Sequence, residues 1–189
     1  MGTSFFRRGP DCPEHDFYAT PPRAVEELLK LERFSENVWE PCCGGGHISE
    51  VLIKHGHKVR STDLADHGYG QPGIDFLLQD TTVDADIITN PPYVQAQAFV
   101  EHAISLLTEG HKAAMFLRLV FLATQARRPL FEEHPPARVY VASARFGCAK
   151  NGEFNVRPNG ELYYPSSVDY AWLVWEHDFV GSPTLHWFN

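Results

Sequence analysis

Val38-Trp39-Glu40-Pro41-Cys42-Cys43-Gly44-Gly45-Gly46, read together with Asp63, is the stretch that decides the fold. Residues 37–39 read as a short apolar strand that ends at Glu40-Pro41. Three consecutive glycines then allow a tight turn and a close approach of backbone to a ligand. Ile48, Val51, Leu52 and Ile53 follow at helical spacing and stop at Gly56. A second strand over 58–62 ends at Asp63. Strand, glycine turn, helix, strand and acid make a βαβ unit. An acid at the end of the second strand can accept both hydroxyls of a ribose. The turn is not the dinucleotide pattern GxGxxG, because His47-Ile48-Ser49 contains no third glycine. No Gly-Lys-Ser/Thr follows, which excludes a phosphate loop.

Outward from that unit the alternation continues. Pro21-Pro22 opens a helix with Thr20 as its expected N-cap and Val25, Leu28, Leu29 and Leu31 as its apolar side. Further strands are predicted over 85–89, 113–117, 138–144 and 170–176, and helices over 96–107 and 122–133. Residues 65–80 read as loop, and 146–167 are turn-rich, with Asn151-Gly152 and Asn159-Gly160. Alternating strands and helices predict an α/β fold with a mainly parallel sheet.

The length, 189 residues, suits one domain. Its 16 basic against 24 acidic residues give a net charge of -8, which argues against a polybasic binder and leaves room for a local basic cleft. Cysteines at 12, 42, 43 and 148 form no CxxC and read as reduced thiols in the cytoplasm. Residues 1–10 hold no apolar stretch, so no secretory leader is expected, and the apolar run 113–123 is interrupted by Arg118 and too short to span a membrane. The histidines show no paired ligand spacing. His55 and His57 read as surface residues, and no metal is expected.

Asn90-Pro91-Pro92-Tyr93 follows the strand over 85–89. Two prolines remove two N–H donors, leaving carbonyl oxygens. With the Asn90 side-chain oxygen they form an acceptor pair suited to an amino group, and Tyr93 adds a planar face. A proline-rich turn capped by Asn90 would account for the same four residues without a ligand.

The run 38–46 followed by Asn90-Pro91-Pro92-Tyr93 resembles the S-adenosylmethionine-dependent amino-methyltransferases. Within them it is similar to DNA adenine methyltransferases, particularly short phage and prophage forms. Phe17-Tyr18-Ala19-Thr20-Pro21 resembles their N-terminal Tyr-x-Thr-Pro element, Asp75-Phe76-Leu77 the acidic-aromatic step, and the stretch 116–122 their fifth-strand region. The resemblance implies a Rossmann-like class I methyltransferase fold, a mainly parallel sheet with an antiparallel terminal hairpin, and S-adenosylmethionine as cofactor. It implies that Tyr18 and Thr20 contact the methionine end, that Glu40, Pro41 and Gly44 shape the pocket floor, that Asp63 takes the ribose hydroxyls, and that Asp75 and Phe76 hold the adenine. Asn90 and the Pro91 carbonyl would accept from the target amino group, with Pro92 fixing the turn and Tyr93 stacking on a flipped base. Direct in-line transfer needs no covalent intermediate, and a nucleophilic Cys42 or Cys43 is set aside because base-carbon methylation uses a Pro-Cys at the catalytic step, which here reads Asn90-Pro91-Pro92-Tyr93.

Asn90 stands where many DNA enzymes of this group carry Asp. Asn-Pro-Pro-Tyr also occurs in enzymes that methylate a glutamine amide of release factors and in some RNA methyltransferases. The Tyr18–Thr20 element and Glu40-Pro41 favour duplex DNA as the partner. An N-terminal arm over 1–15 and a single methyltransferase domain over 16–189 are expected. With no separate recognition domain in view, residues 145–168 are the candidate substrate loop, with Arg145, Lys150 and Arg157 among Phe146, Phe154, Tyr163 and Tyr164. Arg7, Arg8, Arg127 and Arg128 could add phosphate contacts. The predicted reaction is methyl transfer to the N6 amino group of adenine in DNA, in a bacterial cell or phage-infected host, with a restriction-modification setting. Glutamine or RNA adenine methylation, and a non-catalytic cofactor-binding regulator, are the alternatives.

Overall fold

The computed structural model describes residues 17–189. The arm over 1–15, with Arg7, Arg8 and Cys12, lies outside the described residues. In chain order the elements are β1 (Tyr18–Ala19), α1 (Pro22–Leu31), β2 (Asn37–Glu40), α2 (His47–Lys54), β3 (Lys58–Ser61), β4 (Asp86–Thr89), α3 (Ala96–Leu106) and β5 (Lys112–Arg118). There follow α4 (Arg128–Glu133), β6 (Arg138–Ala142), β7 (Ala149–Lys150), β8 (Asn155–Val156), β9 (Leu162–Tyr163), β10 (Tyr170–Glu176) and β11 (Thr184–Phe188).

Seven strands form the central sheet in the order β11-β6-β10-β5-β4-β2-β3. The run from β3 to β5 is parallel, β10 is antiparallel to both β5 and β6, and β11 lies parallel outside β6. This is the mainly parallel sheet that the alternation of elements predicts, with the terminal antiparallel pair that the resemblance implies. The pair is β6–β10, and the edge strand β11 is an addition the sequence reading did not contain.

Strand side chains alternate between faces, and here both faces are covered. Trp39, Ile87, Met115 and Leu173 point into one core with α3. Their neighbours Val38, Ile88, Phe116 and Trp172 point into the other, against Val25 and Leu28 of α1 and Leu52 of α2. Trp172 also donates its indole N–H to the Ala24 carbonyl at 2.9 Å, so the sheet centre grips α1 by packing and by a hydrogen bond.

Two local expectations change. Thr20 does not cap α1. Pro21 occupies the N-cap position, its carbonyl takes the Ala24 N–H at 2.9 Å, and Thr20 sits one residue too early to reach that turn. The helix predicted over 122–133 is broken into 3-10 turns at Leu119–Ala123 and Gln125–Arg127 and the short α4. In a continuous helix the Pro129 ring would strike the Gln125 carbonyl, so the proline is accommodated only in the first turn of a new helix.

The topology places the chemistry. The chain passes from β2 outward to β3 and from β4 outward to β5 on the other side. Ligands gather outside the carboxyl ends of the strands at such a reversal. Glu40 ends β2, Asp63 follows β3, Asn90 follows β4 and Arg118 ends β5, so all four stand at that edge. No helix among the described residues is long and apolar enough to cross a membrane.

Candidate active site

A cavity of about 740 Å³ opens at this edge, within the range of small-molecule and cofactor sites. Tyr18, Thr20, Glu40, Pro41, Gly44, Asp63, Asp75 and Phe76 all line it, as do Asn90, Pro91, Pro92 and Tyr93. Twelve residues chosen from separated motifs therefore meet in one space. Arg145, Lys150 and Arg157 are not among the lining residues.

On the acidic side, the glycine turn is held by carboxylates. Glu40 is buried and accepts hydrogen bonds from the backbone N–H of Ser49, at 2.8 Å, and from the Ser49 hydroxyl. Glu40 thus caps the first turn of α2 from the end of β2. Burial pushes its carboxyl well above the usual carboxylate range, with the two Ser49 hydrogen bonds opposing and the Asp63 charge adding to the rise. Asp63 accepts from the Gly44 N–H at 2.9 Å and from the Ala65 N–H at 2.9 Å. It ties the turn after β2 to the segment after β3 and still keeps lone pairs on both oxygens for hydroxyl donors. Asp75 uses one oxygen on the Leu77 N–H at 3.0 Å. Phe76 is buried between Trp39 and Phe99, with ring centroids 5.2 and 5.0 Å away.

Gly44 and Gly46 adopt φ of +49° and +83°. A Cβ on Gly44 would lie 2.6 Å from the Phe17 ring, and one on Gly46 would lie 2.6 Å from Tyr69. Both steric and dihedral reasons keep these positions as glycine.

On the opposite side, Asn90 supplies the decisive feature. Its Nδ2 donates to the Tyr18 carbonyl at 2.9 Å and lies 3.6 Å from the Cys148 sulfur. A carbonyl can only accept, so the amide orientation is fixed by that bond. Asn90 Oδ1 is then buried with no hydrogen-bond partner. Pro91 and Pro92 add no N–H, so this wall offers acceptors alone.

Tyr93 is held more firmly than the sequence suggests. Its hydroxyl contacts the Tyr170 hydroxyl at 3.2 Å and the Cys148 sulfur at 3.5 Å. The Arg118 guanidinium lies over its ring, 4.2 Å from the centroid. One face of Tyr93 is therefore covered. Burial raises the Tyr93 hydroxyl and the Cys148 thiol, so both are neutral groups. Burial pushes Cys42 well up, and Cys43 to about 12, which leaves neither thiol in the reactive thiolate form.

The segment 145–168 divides. Its start packs against a strand that borders the cavity: β7 pairs with β1, placing Lys150 opposite Tyr18 and Ala149 opposite Ala19. The Asn151 N–H donates to the Phe17 carbonyl at 2.8 Å. This pairing presents the Tyr18 carbonyl to Asn90. Phe146 is buried and stacks on Phe188 at 5.2 Å, while Phe154 packs between Tyr164 at 5.5 Å and His47 at 5.5 Å. Those rings are committed to packing. Arg145 donates to the Ser166 carbonyl, and Arg157 lies 3.6 Å from Glu161. Elsewhere, Arg127 donates to the Phe121 carbonyl and Thr124 hydroxyl, and Arg128 pairs with Glu132 at 2.6 Å. His55 and His57 bond the Val51 and Ser35 carbonyls, each at 2.8 Å.

Phe17, His47, His67 and Arg118 also line the cavity and were given no site role from the sequence. For Arg118 a signal existed: a single cation interrupting an apolar run at the carboxyl end of a strand. For His47 the signal was its place immediately after the glycines. Burial lowers the His47 imidazole, keeping it neutral.

No protein-family model matches the chain. No curated protein matches it by sequence. Solved structures do match. A Streptococcus thermophilus methyltransferase subunit of a type I restriction-modification system superposes with a TM-score of 0.61 at 14% identity, over 88% of this chain and 46% of that one. A candidate RNA methyltransferase of Pyrococcus horikoshii gives 0.59 at 15% identity, over 90% and 92%. A Thermotoga maritima S-adenosylmethionine-dependent O-methyltransferase gives 0.57 at 12% identity, over 85% and 67%. The fold is that of the class I S-adenosylmethionine-dependent methyltransferases. The Thermotoga protein is described as S-adenosylmethionine-dependent. The chain spans less than half the length of the restriction-modification subunit and nearly all of the Pyrococcus protein. These neighbours name a restriction-modification system, RNA and O-methylation in turn, so the likeness carries the architecture and leaves the acceptor to the site.

Proposed function

We propose that this protein binds S-adenosylmethionine and transfers its methyl group to the exocyclic N6 amino group of adenine in DNA. The observation that carries the reading is the buried, unpartnered Oδ1 of Asn90 beside two prolines. A desolvated acceptor with no partner costs free energy unless a donor arrives. An amino group is the donor that fits a wall of two acceptors, one N–H to Asn90 Oδ1 and the other to the Pro91 carbonyl. Those two bonds turn the nitrogen lone pair away from the wall and toward the cavity.

The residues present fit the cofactor. Asp63 and Asp75 offer acceptors to hydroxyl and amino donors, Gly44 admits close approach, and Tyr18 and Thr20 border the far end. The bound cofactor supplies a methyl group on a sulfonium. Asn90 orients the acceptor nitrogen and stabilises the positive charge that develops there. The spent proton leaves to solvent, because Asn90 is not a base and the nearby Tyr93 and Cys148 are neutral. An adenine amino group is buried by pairing within a duplex, so the base must leave the stack to reach Asn90. The resemblance of Tyr18–Thr20 and Glu40-Pro41 to the DNA enzymes favours DNA over a glutamine amide.

The test is transfer of tritiated methyl from S-adenosylmethionine to duplex DNA, single-stranded DNA, RNA and a release factor in parallel. Label in DNA supports the reading. Label only in RNA or protein keeps the chemistry and replaces the substrate. Cofactor binding without transfer to any of them favours a non-catalytic regulator.

A further inference from the structure

We propose that Arg118 is the anchor for substrate phosphate, taking a phosphodiester oxygen next to the flipped adenine; this rests on the DNA reading above. Arg118 is the only lysine or arginine among the described residues that line the cavity. It is also the only arginine among them with a buried nitrogen, Nε, that lacks a hydrogen-bond partner. Among the described residues it makes no ion pair. Arg138, by contrast, is matched by the carboxylates of Glu32 and Glu176. The groups against Arg118 are neutral: the Tyr93 ring it covers and, through Tyr93, the Tyr170 hydroxyl and the Cys148 thiol.

The position is rigid. Arg118 closes β5, and its backbone partner across the sheet is Tyr170 of β10. A guanidinium that is partly desolvated, fixed and without a counter-charge is suited to an anion, and its fork matches phosphate geometry. The cavity's charge is divided accordingly. Carboxylates at Asp63 and Asp75 stand on the β3 side, while the cation stands with the amino-group acceptors. On a chain of net charge -8, one partly buried cation beside the acceptor wall gives a nucleic-acid strand a local foothold that a glutamine side chain would not need. A phosphodiester contact positions the strand without reading its sequence, consistent with a residue placed on the scaffold rather than on a loop.

The experiment uses the whole protein, with Arg118→Gln and Arg118→Lys, and duplexes carrying one neutral methylphosphonate linkage at successive positions around the target adenine. For wild type, one linkage is expected to weaken binding about tenfold, and Arg118→Gln is expected to weaken binding of the unmodified duplex by a similar factor. The salt slope of DNA binding should fall by about one in Arg118→Gln and stay near wild type in Arg118→Lys. In Arg118→Gln the sensitive linkage should lose its effect, because the two changes remove one contact. Cofactor affinity should be unchanged. The inference is overturned if Arg118→Gln weakens cofactor binding and leaves DNA binding alone, which would give the guanidinium to the cofactor's carboxylate. It is also overturned if the linkage effect persists undiminished in Arg118→Gln, or if no linkage matters in wild type. The wild-type linkage series needs no substitution and stands even if Arg118→Gln does not fold. If wild type neither binds nor methylates DNA, the DNA reading has failed and this inference fails with it. Methylation of DNA with an indifferent Arg118 defeats this inference alone.

Discussion

Asn90 and Tyr18 are joined by a hydrogen bond of 2.9 Å from the Asn90 amide nitrogen to the Tyr18 carbonyl. The bond decides which end of the Asn90 side chain faces the cavity, and so makes Oδ1 the free acceptor. Asn90→Asp keeps an acceptor and loses the donor, setting a carboxylate oxygen against the Tyr18 carbonyl. This variant should retain measurable methyl transfer while the segment 17–20 loosens. Hydrogen exchange at Tyr18 and Ala19 should speed up relative to wild type, and unchanged protection there would contradict the link.

The carboxylate of Asp63 holds two backbone N–H groups, those of Gly44 and Ala65. Asp63→Ala should therefore weaken both the fold and the cofactor site. Leaving buried donors unsatisfied costs ~1–3 kcal/mol. Chemical denaturation should show a loss of that order, and calorimetry should show weaker binding of S-adenosylmethionine.

Glu40 carries a raised pKa because it is buried. A carboxyl whose folded pKa lies above its unfolded value contributes stability that is full below the unfolded pKa and is lost as pH rises through the folded pKa. Glu40→Gln stays neutral and does not suffer that loss. The melting temperature of Glu40→Gln relative to wild type should therefore increase from pH 5 to pH 9. A difference independent of pH would show that Glu40 does not titrate as burial requires.

Gly44 holds φ of +49°, and an added Cβ would lie 2.6 Å from the Phe17 ring. Left-handed backbone alone costs a residue with Cβ ~1–2 kcal/mol. Gly44→Ala should lower stability by at least that much and raise the dissociation constant for S-adenosylmethionine, since Phe17 borders the same cavity. Thermal melts and cofactor titration check both.

The parts of this molecule that bury apolar side chains at a clear period were legible in the sequence. Ile48, Val51 and Leu52 mark one helix face, and the predicted strand over 170–176 is β10 itself. The pairs β1–β7 and β8–β9 were not legible, because two residues of strand carry no period. β11 was missed because four of its five residues are exposed. The residues of the cavity were readable where backbone demands were special, at Gly44 or Pro91. The anchoring of the segment 17–20 beside the site was not readable, since it depends on Ala149 and Lys150 meeting Tyr18 and Ala19 across the fold. Arg118 was visible only as a break in an apolar run, and its meaning comes from lying over Tyr93.

The central claim is that the Asn90 oxygen receives the amino group of a DNA adenine. The most direct measurement is nucleoside analysis of duplex DNA after incubation with S-adenosylmethionine and either wild type or Asn90→Ala, with cofactor affinity measured for both. The account predicts N6-methyladenine with wild type, a loss of ~10²–10³-fold in rate with Asn90→Ala, and cofactor affinity that is nearly unchanged. Equal methylation by both proteins, or methyl groups recovered on any atom other than the adenine amino nitrogen, would contradict it.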